Sequence, residues 1–397
     1  MSGDPGQRPG PSDQLGSPNE TEPNETEPDE ASPNQASPNQ ASEAEHAAMR
    51  HAGELARTVA GRTSPNPPVA ALILDPAGRI VGQGATQPHG QEHAEVVALA
   101  AAGELARGAT AVVTLEPCNH TGRTGPCTEA LIEAGIARVI YAVSDPNPIA
   151  AGGADRLLAA GLQVVGDVET AEVCRSALGP WLLAVSQARP FVTWKYAATL
   201  DGRAAAADGS SRWITNPISR ADVHALRDVV DAVMVGSGTV LSDDPSLTVR
   251  LTGADGTEQL AERQPLRVLL DRRHRVPDSA MIFDGSAETV VLDTAVPRFA
   301  LKALYDRGVR HVLLEGGPTL AGAFLEAGLI DEVVAYLAPK LLGAGPSVLE
   351  DAGIHTISEV VSLEVVEIVR LGDDVKITAR PSASTIADTS PHRRKDQ

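Results

Sequence analysis

Three residues that bind zinc well stand close together in this chain: His93, Cys118 and Cys127. Zinc takes about four ligands, and a catalytic zinc site leaves one position to water. Glu95 follows His93 by two residues, so its carboxylate is available to move protons at that water. The chain has 3 cysteines, and two of them fall in this segment. The pattern therefore predicts a fold that brings these ligands together around one catalytic zinc.

The order of these residues is typical of the zinc nucleobase deaminases, in which H-x-E and P-C carry the chemistry. Here the two motifs are His93-Ala94-Glu95 and Pro117-Cys118. We therefore predict that His93, Cys118 and Cys127 bind Zn²⁺ and that Glu95 is the catalytic acid and base. The alternative is a closed structural zinc site, although such sites usually have four protein ligands.

The loop between the two cysteines is long, since eight residues separate Cys118 from Cys127. The run LEPCNHTGRTGPC resembles the deaminase half of the bifunctional riboflavin-biosynthesis enzymes, which have the same long loop. This resemblance implies that Asn66, in a Pro-Asn-Pro turn, contacts the base of a pyrimidine nucleotide. The chain departs from the family at Thr86, where a His is common, and it lacks a Lys near Gly152. Arg123 could supply the positive charge that this Lys would carry.

Alternating strands and helices predict a layered α/β/α domain that ends near residue 170. The predicted helices cover residues 43–60, 93–102, 128–134 and 154–160, and the predicted strands 69–74, 111–115, 138–143 and 162–165. Cys118 then lies just past the carboxyl end of a strand, where ligands bind in open α/β sheets. His93 and Glu95 fall in the first turn of a helix.

A second α/β domain is predicted over residues 190–381, after a helix and linker at 171–189. Within it, Gly316-Gly317 joins a buried strand to a helix, and backbone N–H groups at such a helix N-terminus bind phosphate. A plain strand-to-helix connection explains the two glycines equally well. Two other segments, residues 195–214 and 235–250, also carry candidate binding residues.

These three segments resemble the reductase half of the same family, whose fold is similar to dihydrofolate reductase and which uses NADPH. The resemblance implies that NADPH is bound by Ala197, Trp213, Thr239, Asp243, Gly317, Pro318, Thr319, Leu320, Ala321, Gly322 and Ala323. It implies that the nucleotide substrate is bound by Ser211, Arg227, Leu247, Arg250 and Glu315. The two arginines suit a phosphate because a guanidinium offers paired donors. The implied activity is hydrolytic deamination of the nucleotide, followed by reduction of its ribosyl group to ribityl.

The charge of the chain favours a small-molecule substrate over nucleic acid. The formal net charge is −19, and no basic field of the kind that binds polynucleotides is visible. Roughly half of this net charge lies in residues 1–45, a low-complexity tail that we expect to be disordered, as we do residues 382–397. No apolar run suggests a membrane span. The small number of cysteines is typical of a protein in the reducing cytoplasm. A homo-oligomer is expected.

Two other hypotheses remain open on the sequence. The chain could have both folds but only one active half, or act on a related nucleotide. It could also be a non-catalytic nucleotide-binding or scaffolding protein, which the acidic tail would suit. The complete set of His93, Glu95, Cys118 and Cys127 favours an enzyme.

Overall fold

The computed structural model describes residues 39–120, 125–253 and 256–382. Over these ranges the chain has an N-terminal α/β/α domain and a C-terminal α/β domain, which confirms the predicted two-domain fold. Both domains belong to one compact unit. Most of the two predicted tails lies outside the described residues. Among the described helices, none has the length and apolar character that crossing a membrane requires.

The N-terminal domain places helices on both faces of one sheet. Its elements are α1 (Glu43–Arg57), β1 (Ala70–Leu74), β2 (Ile80–Ala85), α2 (Ala94–Ala102), β3 (Thr110–Val113), α3 (Cys127–Glu133), β4 (Arg138–Tyr141), α4 (Gly153–Ala159) and β5 (Gln163–Val165). The strand order is β2-β1-β3-β4-β5, with β3, β4 and β5 parallel and β1 antiparallel to both of its neighbours. Every residue of β1 is buried, because α1 and α2 both pack against it. A continuous apolar strand is what such a central position requires.

The first helix starts at Glu43, as predicted, and its first residues overlap the segment 1–45 that we predicted as a disordered tail. The Ser42 hydroxyl accepts a hydrogen bond from the Glu45 N–H at 3.3 Å, and the Glu45 carboxylate accepts one from the Ser42 N–H at 2.7 Å. This capping box satisfies two backbone donors at the start of the helix. Glu45 also pairs with the largely buried Arg138 at 2.8 Å. The folded domain therefore begins before residue 46, the boundary that we predicted.

Two glycines let α2 lie directly on β2. A Cβ atom at Gly82 would lie 2.4 Å from the Ala98 carbonyl oxygen, and one at Gly84 would lie 2.6 Å from the Ala94 carbonyl oxygen. Any larger side chain would push the helix away from the strand. The close approach fixes the N-terminus of α2, where His93 and Glu95 stand.

Residues 171–189, which we predicted as a helix and linker, are helical and pack against the N-terminal domain. They fold into α5 (Thr170–Arg175) and α6 (Leu178–Gln187). Their apolar residues Val173, Leu178 and Trp181 are buried in the core of that domain. The boundary near residue 170 therefore cuts through one core, because these side chains find their apolar partners on the N-terminal side.

The C-terminal domain is built on a long, mainly parallel sheet. Its elements are β6 (Phe191–Thr199), α7 (Pro217–Asp228), β7 (Ala232–Gly236), α8 (Ser237–Asp243), β8 (Arg250–Thr252), β9 (Glu258–Leu260), β10 (Leu266–Leu270), β11 (Thr289–Leu292), α9 (Pro297–Asp306), β12 (His311–Leu314), α10 (Pro318–Glu326), β13 (Glu332–Ala338), β14 (Leu363–Leu371) and β15 (Asp374–Pro381). The strand order is β11-β10-β7-β12-β6-β13-β15-β14. The strands from β11 to β13 are parallel, and the β14–β15 hairpin is antiparallel at one edge.

The β8–β9 hairpin is a feature that the sequence pattern does not predict. Its two strands are three residues long, and all but Arg250 are exposed. Such short, polar strands carry no buried alternation for a pattern to detect. The hairpin matters because Arg250, a predicted substrate residue, stands at its start.

Candidate active sites

The N-terminus of α2 positions the first zinc ligand and the carboxylate. His93 is the N-cap residue, with extended backbone at φ −78° and ψ 161°, so its ring lies outside the helix. Glu95 lies in the first turn and is only 5% exposed. A carboxylate is favoured there by the positive end of the helix dipole. The helix therefore presents both side chains to one place.

The two cysteines reach the same place from neighbouring elements. Cys118 lies in the loop that follows β3, and Cys127 is the first residue of α3. The Cys127 N–H donates to the Cys118 sulfur at 3.5 Å, and the Thr128 N–H donates to the Cys118 carbonyl at 3.3 Å. The backbone of α3 thus fixes the loop that carries Cys118.

The distances between the three ligand atoms fit a zinc ion. His93 Nδ1 lies 3.3 Å from Cys127 Sγ and 3.6 Å from Cys118 Sγ. Tetrahedral zinc with ordinary Zn–S and Zn–N bonds separates such atoms by about 3.6 Å. Within the described part of the chain, this is the one group of at least three His, Cys, Asp or Glu residues with metal-binding geometry. The donor set and spacing are those of a catalytic zinc site with three protein ligands.

Burial and charge make the ionisable groups of this site unusual. A hydrogen bond from Cys127, assisted by His93, lowers the pKa of Cys118 to about 4. The same bond and burial raise the pKa of Cys127. Burial, with the neighbouring Cys118, raises the pKa of Glu95 to about 7. A carboxyl group with a pKa near neutrality can both take and give a proton at working pH.

A cavity of about 170 Å³ opens beside these residues. Asn66 and Thr86 both line it, as do His93, Glu95 and Cys118. The Thr86 hydroxyl is turned to the backbone, since it lies 3.2 Å from the Val69 N–H and 3.3 Å from the Val69 carbonyl. Arg123 lies outside the described residues.

The cavity also contains polar residues that our sequence analysis did not single out. His120, Glu116, Asp145 and Asn147 all line it. His120 Nδ1 is buried and has no hydrogen-bond partner among the residues described. Glu116 accepts backbone N–H groups from Asp145 at 3.2 Å and from Ala154 at 2.9 Å, so it orders the opposite wall. His120 follows Cys118 by two residues in the sequence, but only the fold shows that its ring faces the cavity.

A second site lies in the C-terminal domain, in a cavity of about 740 Å³. Its lining includes all five predicted substrate residues and four predicted NADPH residues, namely Ser211, Arg227, Leu247, Arg250, Glu315, Ala197, Trp213, Thr239 and Asp243. The fold therefore brings together residues from β6, α7, α8, β8 and the loop after β12. These elements are far apart in the sequence, and their predicted side chains share one cavity.

Charged residues at the base of this cavity are paired. Arg227 Nε lies 2.5 Å from Glu315 Oε1, and Lys195 Nζ lies 3.5 Å from Glu315 Oε2. Burial acts to raise the pKa of Glu315, but Arg227 and Lys195 outweigh it and hold this pKa at about 2. Arg250 is different, because its guanidinium bonds only the Ser246 hydroxyl, at 3.4 Å, and pairs with no acid in the described ranges. Arg250 is therefore the more available partner for a phosphate.

An adjoining cavity of about 760 Å³ shares Ser211, Thr239 and Asp243 with the first. Its lining includes the predicted residues Gly317, Pro318, Thr319, Leu320 and Ala323. The Gly317 N–H donates to the Thr239 hydroxyl at 3.0 Å, which fixes the glycine turn before α10.

Two residues of the predicted NADPH loop do not line either of these cavities. Ala321 is fully buried in the domain core. Gly322 faces another loop, and a Cβ atom there would lie 2.5 Å from the Asp351 carbonyl oxygen. The helical period of α10 turns these two positions away from the cavity that Leu320 and Ala323 face.

The second cavity also carries basic residues that we did not predict. Arg272 and Arg273 line it, are exposed, and pair with no acid within the described residues. Arg275 lines it too and donates to the Ser237 hydroxyl at 2.7 Å. The two connected cavities thus have room and positive charge for a phosphorylated dinucleotide beside a nucleotide.

Comparison with protein-family models assigns both halves of the chain. The model described as the cytidine and deoxycytidylate deaminase zinc-binding region matches residues 42–143. The model described as the RibD C-terminal domain matches residues 190–377. These matches confirm the predicted deaminase and reductase folds, in the predicted order.

Known proteins match over both halves. The riboflavin biosynthesis protein RibD of Mycobacterium tuberculosis is 51% identical over 320 residues, which cover 81% of this chain and 92% of that protein. RibD of Escherichia coli (strain K12) is 40% identical over 356 residues, covering 82% of this chain and 96% of that protein.

A solved structure matches the fold as a whole. It is the diaminohydroxyphosphoribosylaminopyrimidine deaminase/5-amino-6-(5-phosphoribosylamino)uracil reductase of Thermotoga maritima, with a TM-score of 0.78 and 35% identity. The match covers 85% of this chain and 99% of that one. Since the zinc ligands and Glu95 lie inside the first matched region and both reductase cavities lie inside the second, neither a chain with only one active half nor a non-catalytic scaffolding protein is favoured. The chain belongs to the RibD family of bifunctional riboflavin-biosynthesis enzymes and carries a zinc-dependent deaminase and an NADPH-dependent reductase.

Proposed function

We propose that the two sites act in succession on one pyrimidine nucleotide. The proposed substrate is 2,5-diamino-6-ribosylamino-4(3H)-pyrimidinone 5′-phosphate, and the final product is 5-amino-6-(5-phospho-D-ribitylamino)uracil. The observation that carries the proposal is the convergence of His93, Cys118 and Cys127 with a buried Glu95 on one cavity. The Thermotoga maritima relative is named for the same pair of reactions.

In the first reaction, water replaces the exocyclic amine of the base, and ammonia leaves. Zinc, when bound by His93, Cys118 and Cys127, activates a water molecule as a nucleophile near neutral pH. Glu95 would take one proton from the attacking water and pass it to the ring nitrogen beside the reacting carbon. It would then take the second water proton and pass it to the amine, which leaves as ammonia. Its raised pKa suits both directions of transfer.

Polar residues on the cavity walls would orient the base. We propose that Asn66 and His120 hydrogen-bond the heterocycle, since both line the cavity and His120 Nδ1 is buried without a partner among described residues. A buried polar atom that lacks a partner costs free energy, which a substrate atom would recover on binding. Asp145 and Asn147, which also line this cavity, are further candidates for contacts with the nucleotide.

In the second reaction, NADPH would supply a hydride to C1 of the ribosyl group, while the bond from C1 to the ring oxygen breaks and that oxygen takes up a proton, which opens the ring to ribityl and leaves NADP⁺. We propose that Thr239, Asp243, Trp213 and the glycine turn at Gly317 bind this cofactor. Ala197 contacts it from β6. The exposed Arg272 and Arg273 would then pair with its phosphates, because a guanidinium binds phosphate with paired donors.

The nucleotide substrate would bind in the neighbouring cavity. Arg250 is the proposed partner of the 5′-phosphate, since no acid in the described ranges neutralises it. The fixed Glu315 carboxylate would accept hydrogen bonds from ribosyl hydroxyls, because Arg227 and Lys195 hold it ionised. Ser211 and Leu247 would complete the wall around the sugar.

We also propose that the protein is a cytoplasmic homo-oligomer. Among the strands that the structure describes, edge strand β14 pairs only with β15, and it exposes a row of apolar side chains, with Val365 55% and Ile368 65% exposed. A long apolar edge strand is a ready site for pairing with a second copy. A reducing compartment would keep Cys118 and Cys127 available as zinc ligands.

An assay with the diaminopyrimidine ribosyl phosphate separates the possibilities. Ammonia release without NADPH, followed by NADPH oxidation once it is added, supports the two-step proposal. NADPH oxidation that requires a pre-deaminated substrate would show that only the reductase half is active. If the protein shows no ammonia release and no NADPH oxidation, the proposal is contradicted altogether.

A further inference from the structure

The loop that carries Asn66 is in contact with the C-terminal domain. Residues 61–67 lie in the connection between α1 and β1, and Pro65, Asn66 and Pro67 line the zinc cavity. The Ser64 hydroxyl donates to Asp231 Oδ2 at 2.8 Å. Asp231 directly precedes β7, so a residue of the reductase sheet bonds the loop beside the deaminase cavity.

Asp231 is a rigid partner for this loop. Its Oδ2 atom also accepts the backbone N–H groups of Arg310 at 2.8 Å and His311 at 2.9 Å, at the start of β12. The carboxylate is therefore fixed by the sheet itself, whether or not Ser64 bonds it. Asp231 lines neither cavity of the reductase site, because those cavities lie beyond the opposite end of β7, at Gly236 and Ser237.

The chain packs tightly just before Ser64. Arg62 Nη2 lies 2.7 Å from the Asp228 carboxylate. Gly61 has a positive φ of 69°, and a Cβ atom there would lie 2.9 Å from the Val229 carbonyl carbon. Arg263 donates to the carbonyls of Asp228 at 2.9 Å and Val230 at 2.6 Å, which fixes the segment against which the loop packs.

Inside the loop, hydrogen bonds carry this placement to Asn66. The Asn66 N–H donates to the Thr63 carbonyl at 2.9 Å, and the Thr63 hydroxyl donates to the Asn66 carbonyl at 3.0 Å. Thr63 is 1% exposed, so it cannot move without the loop. Trp181 Nε1 donates to the Pro65 carbonyl at 3.0 Å from the other side. The position of Asn66 thus follows that of Ser64.

We propose that Ser64 and Asp231 are positioning residues for deamination, and that the reductase domain thereby supports the deaminase substrate loop. The inference rests on the proposed role of Asn66 at the base. It means that deamination depends on a residue of the other domain that touches neither zinc, substrate nor NADPH. A displaced binding group slows a reaction even when the chemical groups remain intact.

The test compares full-length Ser64→Ala with the native chain. This change removes one donor and leaves the bonds of Asp231 to Arg310 and His311 in place. We expect KM for ammonia release to rise roughly fivefold, the effect of one lost hydrogen bond. NADPH oxidation with pre-deaminated substrate, and zinc content, should stay as in the native chain. Ser186→Ala, at an exposed serine of α6 that bonds the Leu183 carbonyl, is the matched control.

A double-mutant cycle with Asp231→Ala identifies the bond itself. If the two residues act through it, Ser64→Ala adds no further loss of deamination in the Asp231→Ala chain. Deamination by Ser64→Ala within twofold of native would overturn the inference. An equal loss of both activities in Ser64→Ala would also overturn it, since that indicates general destabilisation. Should Asp231→Ala fail to fold, Arg62→Ala breaks the neighbouring ion pair with Asp228, and KM for ammonia release should rise there as well; an unchanged KM would overturn the inference.

Hydrogen–deuterium exchange tests the contact without any substrate. We expect amides of residues 61–67 to exchange faster in Ser64→Ala than in the native chain, because the loop loses its bond to the sheet. Unchanged exchange there would overturn the inference. If the native chain releases no ammonia, the proposed function is contradicted instead. The exchange result would still test the contact between residues 61–67 and the reductase sheet.

Discussion

Arg227 donates two hydrogen bonds to Glu315, from Nε to Oε1 at 2.5 Å and from Nη2 to Oε2 at 3.0 Å. Their side chains are only 14% and 8% exposed. Arg227 Nη1 also donates to the Thr248 carbonyl at 3.0 Å, so each nitrogen of this guanidinium has a protein partner. The pair is therefore part of the cavity wall, whereas Arg250 remains available to a ligand.

Removing each arginine should consequently have a different effect. Arg227→Ala leaves Glu315 without its main partner, and we expect a loss of about 3 kcal/mol in the free energy of unfolding. Arg250→Ala should leave stability within about 0.5 kcal/mol of native and raise KM for the nucleotide roughly tenfold. Denaturant unfolding and reductase kinetics measure the two effects. Equal KM values in native and Arg250→Ala chains would contradict a phosphate contact at Arg250.

The same pair predicts a pH dependence of stability. The Glu315 pKa is about 2 in the folded chain, against 4.5 for an unperturbed Glu. Its folded-state pKa is lowered, so the stabilisation is complete above pH 4.5 and is lost as pH falls from there toward 2. The stability difference between native and Glu315→Gln chains should therefore shrink between pH 5 and about 3. A difference that is constant over this range would show that Glu315 is not held ionised.

Glu95→Gln should abolish ammonia release while zinc content stays near one per chain. The amide keeps the shape of the side chain but cannot shuttle protons, and such transfers contribute about 10²- to 10⁴-fold in rate. Zinc is measured by atomic absorption and ammonia by a coupled assay. Glu92→Gln, at an exposed position close by, is the control. Retained deamination in Glu95→Gln would contradict the proposed proton transfer.

The positive charge of Arg272 and Arg273 at the second reductase cavity should favour NADPH over NADH. Replacing Arg272 and Arg273 together by Ala should weaken binding of 2′,5′-ADP more than binding of 5′-AMP, because only the former carries the additional phosphate. Isothermal titration calorimetry measures both ligands without turnover. Arg307→Ala removes an exposed guanidinium outside both cavities and serves as control. Equal weakening for the two ligands would contradict a 2′-phosphate contact.

Ile368→Lys should lower the oligomeric state, since it places a charge in the apolar row of β14. Analytical ultracentrifugation of native and variant chains measures the change in mass. Leu105 is 61% exposed, close to the 65% of Ile368, but lies in the other domain, so Leu105→Lys is a matched control. Native chains that sediment as monomers would contradict the proposed assembly.

The zinc site was predictable because a His, a Glu and two Cys in this order are a combination that few other kinds of site require. His93, Glu95, Cys118 and Cys127 stand together in the structure as the spacing indicated. His120 was not singled out, since whether a histidine faces a cavity depends on a loop path that no local pattern encodes. Asp145 was not singled out either, because it follows a different strand, β4, and only the fold brings it to the cavity.

Boundaries and loops were less predictable for related reasons. Residues 171–189 read as a linker because a short amphipathic segment gives no sign of which core it will join; Trp181 joins the N-terminal one. The family pattern implied a continuous NADPH loop through Ala323, but the turn of α10 directs Ala321 into the core. In both cases the packing of the segment depends on residues that are distant in the sequence. The sequence of the segment alone does not reveal those partners.

The contact of α2 with β2 through Gly82 and Gly84 has a consequence for how this enzyme can change over generations. Because main chain rests on main chain there, the height of the zinc ligand His93 above the sheet does not depend on the sizes of neighbouring apolar side chains. Substitutions among those side chains can accumulate with little effect on the metal geometry. The two glycines cannot be replaced in the same way, because any side chain there would displace the helix. The tolerance of the deaminase to mutation elsewhere therefore depends on keeping glycine at these two positions.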